Sequence, residues 1–137
     1  MKPLLLDTNV LIRFFRSDRK IADIISAYEK IVVPSVVLGE FKAGADPTKT
    51  CGQRQLEVLE SFLDSPSVGV IPVTEDIASV YARIFRVLKA NGAPIPQNDM
   101  WIAACAVDAG ALLITSDRHF ASIPILDMRI VEYSMKM

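Results

Sequence analysis

Leu4-Leu5-Leu6-Asp7-Thr8-Asn9-Val10-Leu11-Ile12-Arg13-Phe14-Phe15 sets an uncharged apolar run directly against an acid and then against a helix. Three consecutive leucines show no polar alternation, so the strand they predict is buried on both faces. Val10, Leu11, Phe14 and Phe15 recur at helical spacing, which predicts a helix over 8–16. The same order returns near the other end of the chain. Leu112-Leu113-Ile114-Thr115-Ser116-Asp117 is again an apolar run that leads to an acid. Between them lie Ile31-Val32-Val33, stopped by Pro34, and Val70-Ile71-Pro72-Val73. Ile130-Val131 is a candidate fifth strand. Short uncharged strands separated by helices predict one α/β domain over 1–137. Its sheet is parallel, with four or five strands flanked by helices, in a Rossmann-like three-layer order. Ligands of such sheets bind beyond the carboxyl ends of the strands, where strand order reverses. Asp7 and Asp117 follow strand ends of this kind.

The remaining helices are marked by spacing and by caps. Ile21, Ile24, Ile25 and Tyr28 share one helical face. Ser35 is the expected N-cap of a helix that ends near Gly44. The polar stretch 46–52, with Pro47, reads as the loosest part of the chain, and helix resumes over 55–63. Thr74 caps a long helix to Ala90, which Asn91-Gly92 stops. Pro94 and Pro96 make 93–97 a rigid turn. The stretch 98–108 is almost wholly apolar, so the helix it forms is buried; Gly110 closes it.

Composition narrows the function classes. A chain of 137 residues, 51% of them hydrophobic, fits one domain with one core. Charged residues make up 23%, which argues against disorder. A formal net charge of −1 excludes a strongly basic nucleic-acid binder, though not a local basic strip. Cys51 and Cys105 form no C-x-x-C pair and have no histidine at ligand spacing. Neither a zinc site nor a disulfide framework is expected. Cys105, among alanines, reads as core. Asp7 and Arg13 interrupt the apolar N-terminus, which makes a poor signal peptide. The apolar region 100–114 is broken by Asp108 and Gly110 and is too short to span a bilayer. A soluble cytoplasmic protein is the expectation.

Four acids stand at structural seams: Asp7, Glu40, Asp99 and Asp117. Taken alone, Asp7 in Asp7-Thr8-Asn9 reads as an N-cap. Asp117 divides evenly between a turn residue and a site residue. Asp99 starts a helix with almost no polar face, so it either serves the helix dipole or opens into a cleft. Glu40 is the most telling. At 100° per residue it falls between Val36 and Val37, inside the apolar arc, whereas a solvated glutamate belongs opposite that arc. Carboxylates that converge need a positive neutraliser, and a hard divalent cation such as Mg²⁺ or Mn²⁺ prefers oxygen ligands. That set points to metal-assisted phosphate chemistry.

Other chemistries lack their residues. His119 is the only histidine and sits in a loop, so no Ser-His-Asp arrangement is expected; it reads as a turn or surface residue. No phosphate-cradling glycine loop is present. Arg13, Arg16, Arg19 and Lys20 form one basic group, and Arg83, Arg86 and Lys89 another. Most are read as solvated helix faces, one of which an RNA backbone could use.

Three segments together resemble the PIN-domain family, in its VapC toxin type. They are Leu5-Leu6-Asp7-Thr8-Asn9-Val10-Leu11-Ile12, then 34–44 around Glu40, then Asp99-Met100-Trp101-Ile102-Ala103-Ala104 through 113–120. Their order, spacing and end-to-end span agree with that family. The resemblance implies a PIN-like fold with an acidic pocket at the strand ends. It implies a Mg²⁺- or Mn²⁺-dependent endoribonuclease, usually a homodimer, inhibited by a small cognate antitoxin. It implies Asp7, Glu40, Asp99 and Asp117 as catalytic acids, with Asp7, Asp99 and Asp117 toward metal. Thr115 or Ser116 would supply a supporting hydroxyl, and Asn9 would orient Asp7. The segment 46–70 matches weakly. Two other readings stay open: a phosphotransfer domain of receiver or haloacid-dehalogenase type, and a non-catalytic module that binds only a protein. Asn9 stands where a dehalogenase-type phosphatase would want a second Asp.

Overall fold

A computed structural model describes residues 1–133, and the last four residues of the expected domain lie outside it. In chain order the elements are β1 (Leu4–Leu6), α1 (Thr8–Phe15), α2 (Arg19–Ser26), β2 (Ile31–Pro34) and α3 (Ser35–Gly44). Then come α4 (Thr50–Leu63), β3 (Val68–Ile71), α5 (Glu75–Ala90), α6 (Gln97–Ala109) and β4 (Leu112–Thr115). A 3₁₀ turn (Arg118–Ser122) and β5 (Met128–Ile130) follow. The sheet has five strands, all parallel, in the order β3-β2-β1-β4-β5. β1 is central: Leu5 pairs with Val32 on one side and with Leu113 on the other. The chain winds outward from β1 to β3, then crosses back to β4 and β5. Strand order therefore reverses between β1 and β4, and the crevice at their carboxyl ends is the natural ligand site. The Asp7 backbone N–H donates to the Ile114 carbonyl (3.1 Å), which locks the two strand ends together.

β1 is wholly buried, as its uncharged sequence requires. On the α5 and α6 side, Ile102 to Ala106 are all buried. Tyr81 of α5 stacks on Trp101 of α6 with ring centroids 3.9 Å apart. Gly110 has φ 61°, a conformation that lacks strain only without a Cβ, and it ends α6. No helix among the described residues is long and apolar enough to cross a membrane.

The structure corrects five local readings. Ser35 is not a cap; Pro34 holds the N-cap position, and the Ser35 hydroxyl donates to the Ile71 carbonyl at the end of β3 (3.1 Å). Helix α4 starts at Thr50 rather than 55, inside the stretch expected to be loose. Gly52 is buried there, and a Cβ on it would lie 1.8 Å from the Asp46 carbonyl oxygen. Only glycine lets this first turn close on the loop. β3 and β5 each lie two residues N-terminal to their expected starts; Pro72, without an N–H, follows β3 directly. Arg13, read as part of a solvated face, is 3% exposed. Its guanidinium pairs with Asp18 (2.9 Å) and donates to the Ser116 hydroxyl (2.9 Å) and the Val131 carbonyl (2.5 Å). It ties α1 to the ends of β4 and β5, and so fixes one side of the crevice.

Candidate active site

Asp7 leaves β1 at the switch point and is 3% exposed. One of its oxygens accepts from the Thr8 backbone N–H (2.8 Å), so the N-cap reading holds. The other accepts from the Thr115 hydroxyl (2.5 Å) and the Asn9 amide (3.1 Å). Asn9 in turn accepts the Ser116 N–H (3.0 Å), and Thr115 accepts the Asp117 N–H (3.0 Å). The two strand ends are thus laced together around one carboxylate. Burial pushes the Asp7 carboxyl up to about 6, and the bonds from Thr115 and Thr8 work against that rise. The negative charges of Asp99 and Glu40 push it further up.

Glu40 projects from α3, where its wheel position had set it apart. The Thr8 hydroxyl donates to one of its oxygens (2.6 Å), and the Asn98 amide reaches the other (3.5 Å). Asp99 enters from the first turn of α6. Burial raises its carboxyl above the usual range; the His119 bond opposes this, while the charges of Asp117 and Glu40 add to it. Asp117 caps the 3₁₀ turn by accepting the His119 N–H (2.9 Å). All four expected acids therefore lie within electrostatic reach of a common crevice. Their mutual repulsion favours neutralisation by a hard cation bound through oxygen, and the donor set fits one.

Sequence reasoning missed three contributors. Thr8 and Asn98 each neighbour an expected acid, and together they hold Glu40. His119 was read as a turn or surface residue. Its ring is half exposed, yet its Nδ1 lies 3.2 Å from Asp99 Oδ2 and 3.1 Å from Asp117 Oδ2. Among the described residues, Asp99, Asp117 and His119 are the one group of three whose donor atoms all lie within 4.8 Å of one another. The expected metal trio of Asp7, Asp99 and Asp117 does not close that tightly. Beside Glu40, a groove of about 620 Å³ opens between α1, α3 and α4, lined by Ile12, Phe15, Phe41 and Val58 with Arg16 and Arg54.

A family model for the PIN domain matches residues 4–126. Ribonuclease VapC5 of Mycobacterium tuberculosis is 32% identical over 120 residues, which span 86% of this chain and 85% of that protein. Ribonuclease VapC1 of Haemophilus influenzae is 32% identical over 117 residues, 81% of this chain and 84% of that protein. The solved structure of VapBC-1 from nontypeable Haemophilus influenzae has a TM-score of 0.80 at 28% identity, covering 93% of this chain and 97% of that one. VapBC2 of Rickettsia felis, bound to a DNA fragment from its promoter, has a TM-score of 0.82 at 22% identity, covering 93% and 98%, a likeness of fold. The family match runs from β1 through β4 and contains every acid of the crevice: the chain belongs to the PIN-domain family.

Proposed function

We propose that this chain is a metal-dependent endoribonuclease, the toxin of a toxin–antitoxin pair, acting in the cytoplasm. The observation that carries the reading is the crevice at the β1–β4 switch point, where Asp99 feels the charges of both Glu40 and Asp117 and Asp7 those of Asp99 and Glu40. Its support from relatives is that those matched over more than four-fifths of the chain are named ribonucleases. A phosphotransfer domain would need a second acid near Asp7 or a late lysine, and Asn9 instead hydrogen-bonds Asp7.

Asp7, Asp99 and Asp117 are the residues that would hold Mg²⁺ or Mn²⁺, with Glu40 beside them. Such an ion supplies Lewis-acid polarisation of the scissile phosphate and an activated water. The chain's own residues prepare that chemistry. Thr115, Asn9 and the Thr8 N–H hold Asp7 in one orientation. Thr8 holds Glu40 so that a free oxygen lone pair can orient water. Catalysis of phosphoryl chemistry rests on such prior positioning.

The partner of this reading is a small antitoxin. An apolar segment of it would seat in the groove beside Glu40, and an Arg or Lys would reach the acids. The chain would pair with a second copy through helix faces, which light scattering at micromolar concentration reads; a monomer refutes the pairing. The central test is cleavage. Purified chain, free of partner, should cut RNA with Mg²⁺ or Mn²⁺ and stop when chelator is added. Cutting that persists in excess EDTA removes the metal mechanism.

A further inference from the structure

We infer that His119 is a nitrogen ligand of the divalent ion, sharing it with Asp99 and Asp117 and biasing the site toward Mn²⁺ over Mg²⁺. This rests on the metal-dependent reading above and names a donor outside the four acids. The geometry begins with the 3₁₀ turn. Phe120 is fully buried and anchors that turn in the core. The Asp117 Oδ1 accepts the His119 backbone N–H (2.9 Å), which leaves its Oδ2 facing the His119 ring. Two donors two residues apart are therefore set in one short, pinned loop. Asp99 supplies the third donor from the start of α6.

The spacing suits a shared ion. Two ligands at right angles on an octahedral ion with bonds of about 2.1 Å stand about 3.0 Å apart. The His119 Nδ1 lies 3.1 Å from the Asp117 oxygen and 3.2 Å from the Asp99 oxygen. A single ring nitrogen turned toward two carboxylates at this separation matches two edges of one coordination shell. The competing account is that His119 is only a counter-ion, its ring proton bridging the acids. The two accounts predict opposite signs. A counter-ion competes with metal, so removing it leaves binding unchanged or tighter for every divalent ion. A ligand contributes binding, and most for ions that accept imidazole. Mg²⁺ is hard and prefers oxygen, whereas later divalent ions accept nitrogen more readily.

The test uses metal-free wild-type chain and His119→Ala, each titrated calorimetrically with Mn²⁺ and with Mg²⁺. The variant should lose about tenfold or more in Mn²⁺ affinity, a loss at least as large as that from removing a supporting group. The Mg²⁺ affinity should change by about twofold or less, since that ion gains little from nitrogen. Equal or tighter binding of both ions in the variant overturns the inference and leaves the nuclease reading intact. Failure of wild type to bind either ion removes the metal-dependent reading and this inference with it. His119 is the only histidine in the chain, so ¹⁵N-histidine labelling reports on it alone. With ¹¹³Cd²⁺ as the probe, wild type should show a one-bond cadmium–nitrogen coupling at Nδ1. Saturation with no coupling overturns the inference, whatever the variant does.

Discussion

Asp7 and Asp99 flank one crevice, yet they are built in opposite ways. Asp7 is 3% exposed, and both its oxygens are hydrogen-bonded, to the start of α1 and to Thr115 at the end of β4. Asp99 is half-buried at the mouth of a helix, and among the described residues its carboxylate hydrogen-bonds only the half-exposed His119. The inner acid is fixed by the fold before any ligand arrives. The outer acids, Asp99 and Asp117, are only partly buried. On the proposed reading, a site that holds its geometry and still admits a cation and an RNA phosphate gains from both kinds of wall. Preorganisation lowers the reorganisation cost at the inner side, and accessibility is kept at the outer side.

The largest effect expected from breaking either wall is on cleavage. Asp7→Asn and Asp99→Asn should each reduce it by roughly 10²–10³-fold or more, in line with losing one electrostatic partner of a charged transition state. Both should keep the fold, as circular dichroism would report. Activity within a few-fold of wild type in either variant would remove that acid from the site. A milder break attacks only the inner wall. Thr115→Val keeps shape and removes the hydroxyl that donates to Asp7 and accepts the Asp117 N–H. It should cost about 1.5–3 kcal/mol, the range for a hydrogen bond to a charged group. The Asp7 carboxyl should then titrate above its wild-type position, because Thr115 is the largest influence holding it down. Carbonyl-carbon NMR of Asp7 through a pH series would read that. An unchanged midpoint would mean that the inner wall is not held as the geometry indicates.

The inner wall was the more legible in sequence. β1 and β4 are uncharged apolar runs, each leading into an acid, and a parallel sheet brings such ends together. Glu40 was legible because it breaks the apolar arc of α3. The same wheel applied to α1 sets Arg13 60° from Val10, on the buried side, so its burial was readable too; grouping it with Arg16 and Arg19 by charge concealed this. The early start of α4 was not readable, because it depends on Gly52 meeting the Asp46 backbone, a tertiary contact. His119 was illegible for a similar reason. Its partner Asp99 is 20 residues away, and nothing local announces that a turn will bring them within 3.2 Å. Local pattern predicts which residues a strand end carries, and it is silent on what a 3₁₀ turn folds back against.

The smallest expected effect separates the walls by stability rather than by activity. The Asp7 carboxyl rises from 3.8 to about 6 on folding, chiefly by burial, so the folded chain holds its proton more tightly than the unfolded chain does. The stability this contributes is complete below the unfolded value and is lost as pH rises through about 6. At neutral pH the metal-free wild type has lost it, whereas Asp7→Asn carries no charge to bury. A rise of about two pKa units corresponds to an upper limit of about 3 kcal/mol. The asparagine amide gives part of that back, since it turns an NH₂ toward donors that the carboxylate accepted on both oxygens. A net gain of about 1 kcal/mol for Asp7→Asn is expected near neutral pH, fading as pH falls below about 6. Asp99 is also raised but sits in a more open place, so Asp99→Asn should gain less. Thermal melts of the metal-free proteins across this pH range give the comparison directly. Equal gains in the two variants would mean that the walls do not differ in burial as the structure has them. A loss in Asp7→Asn that persists at every pH would make its capping and strand-lacing bonds outweigh the cost of its buried charge.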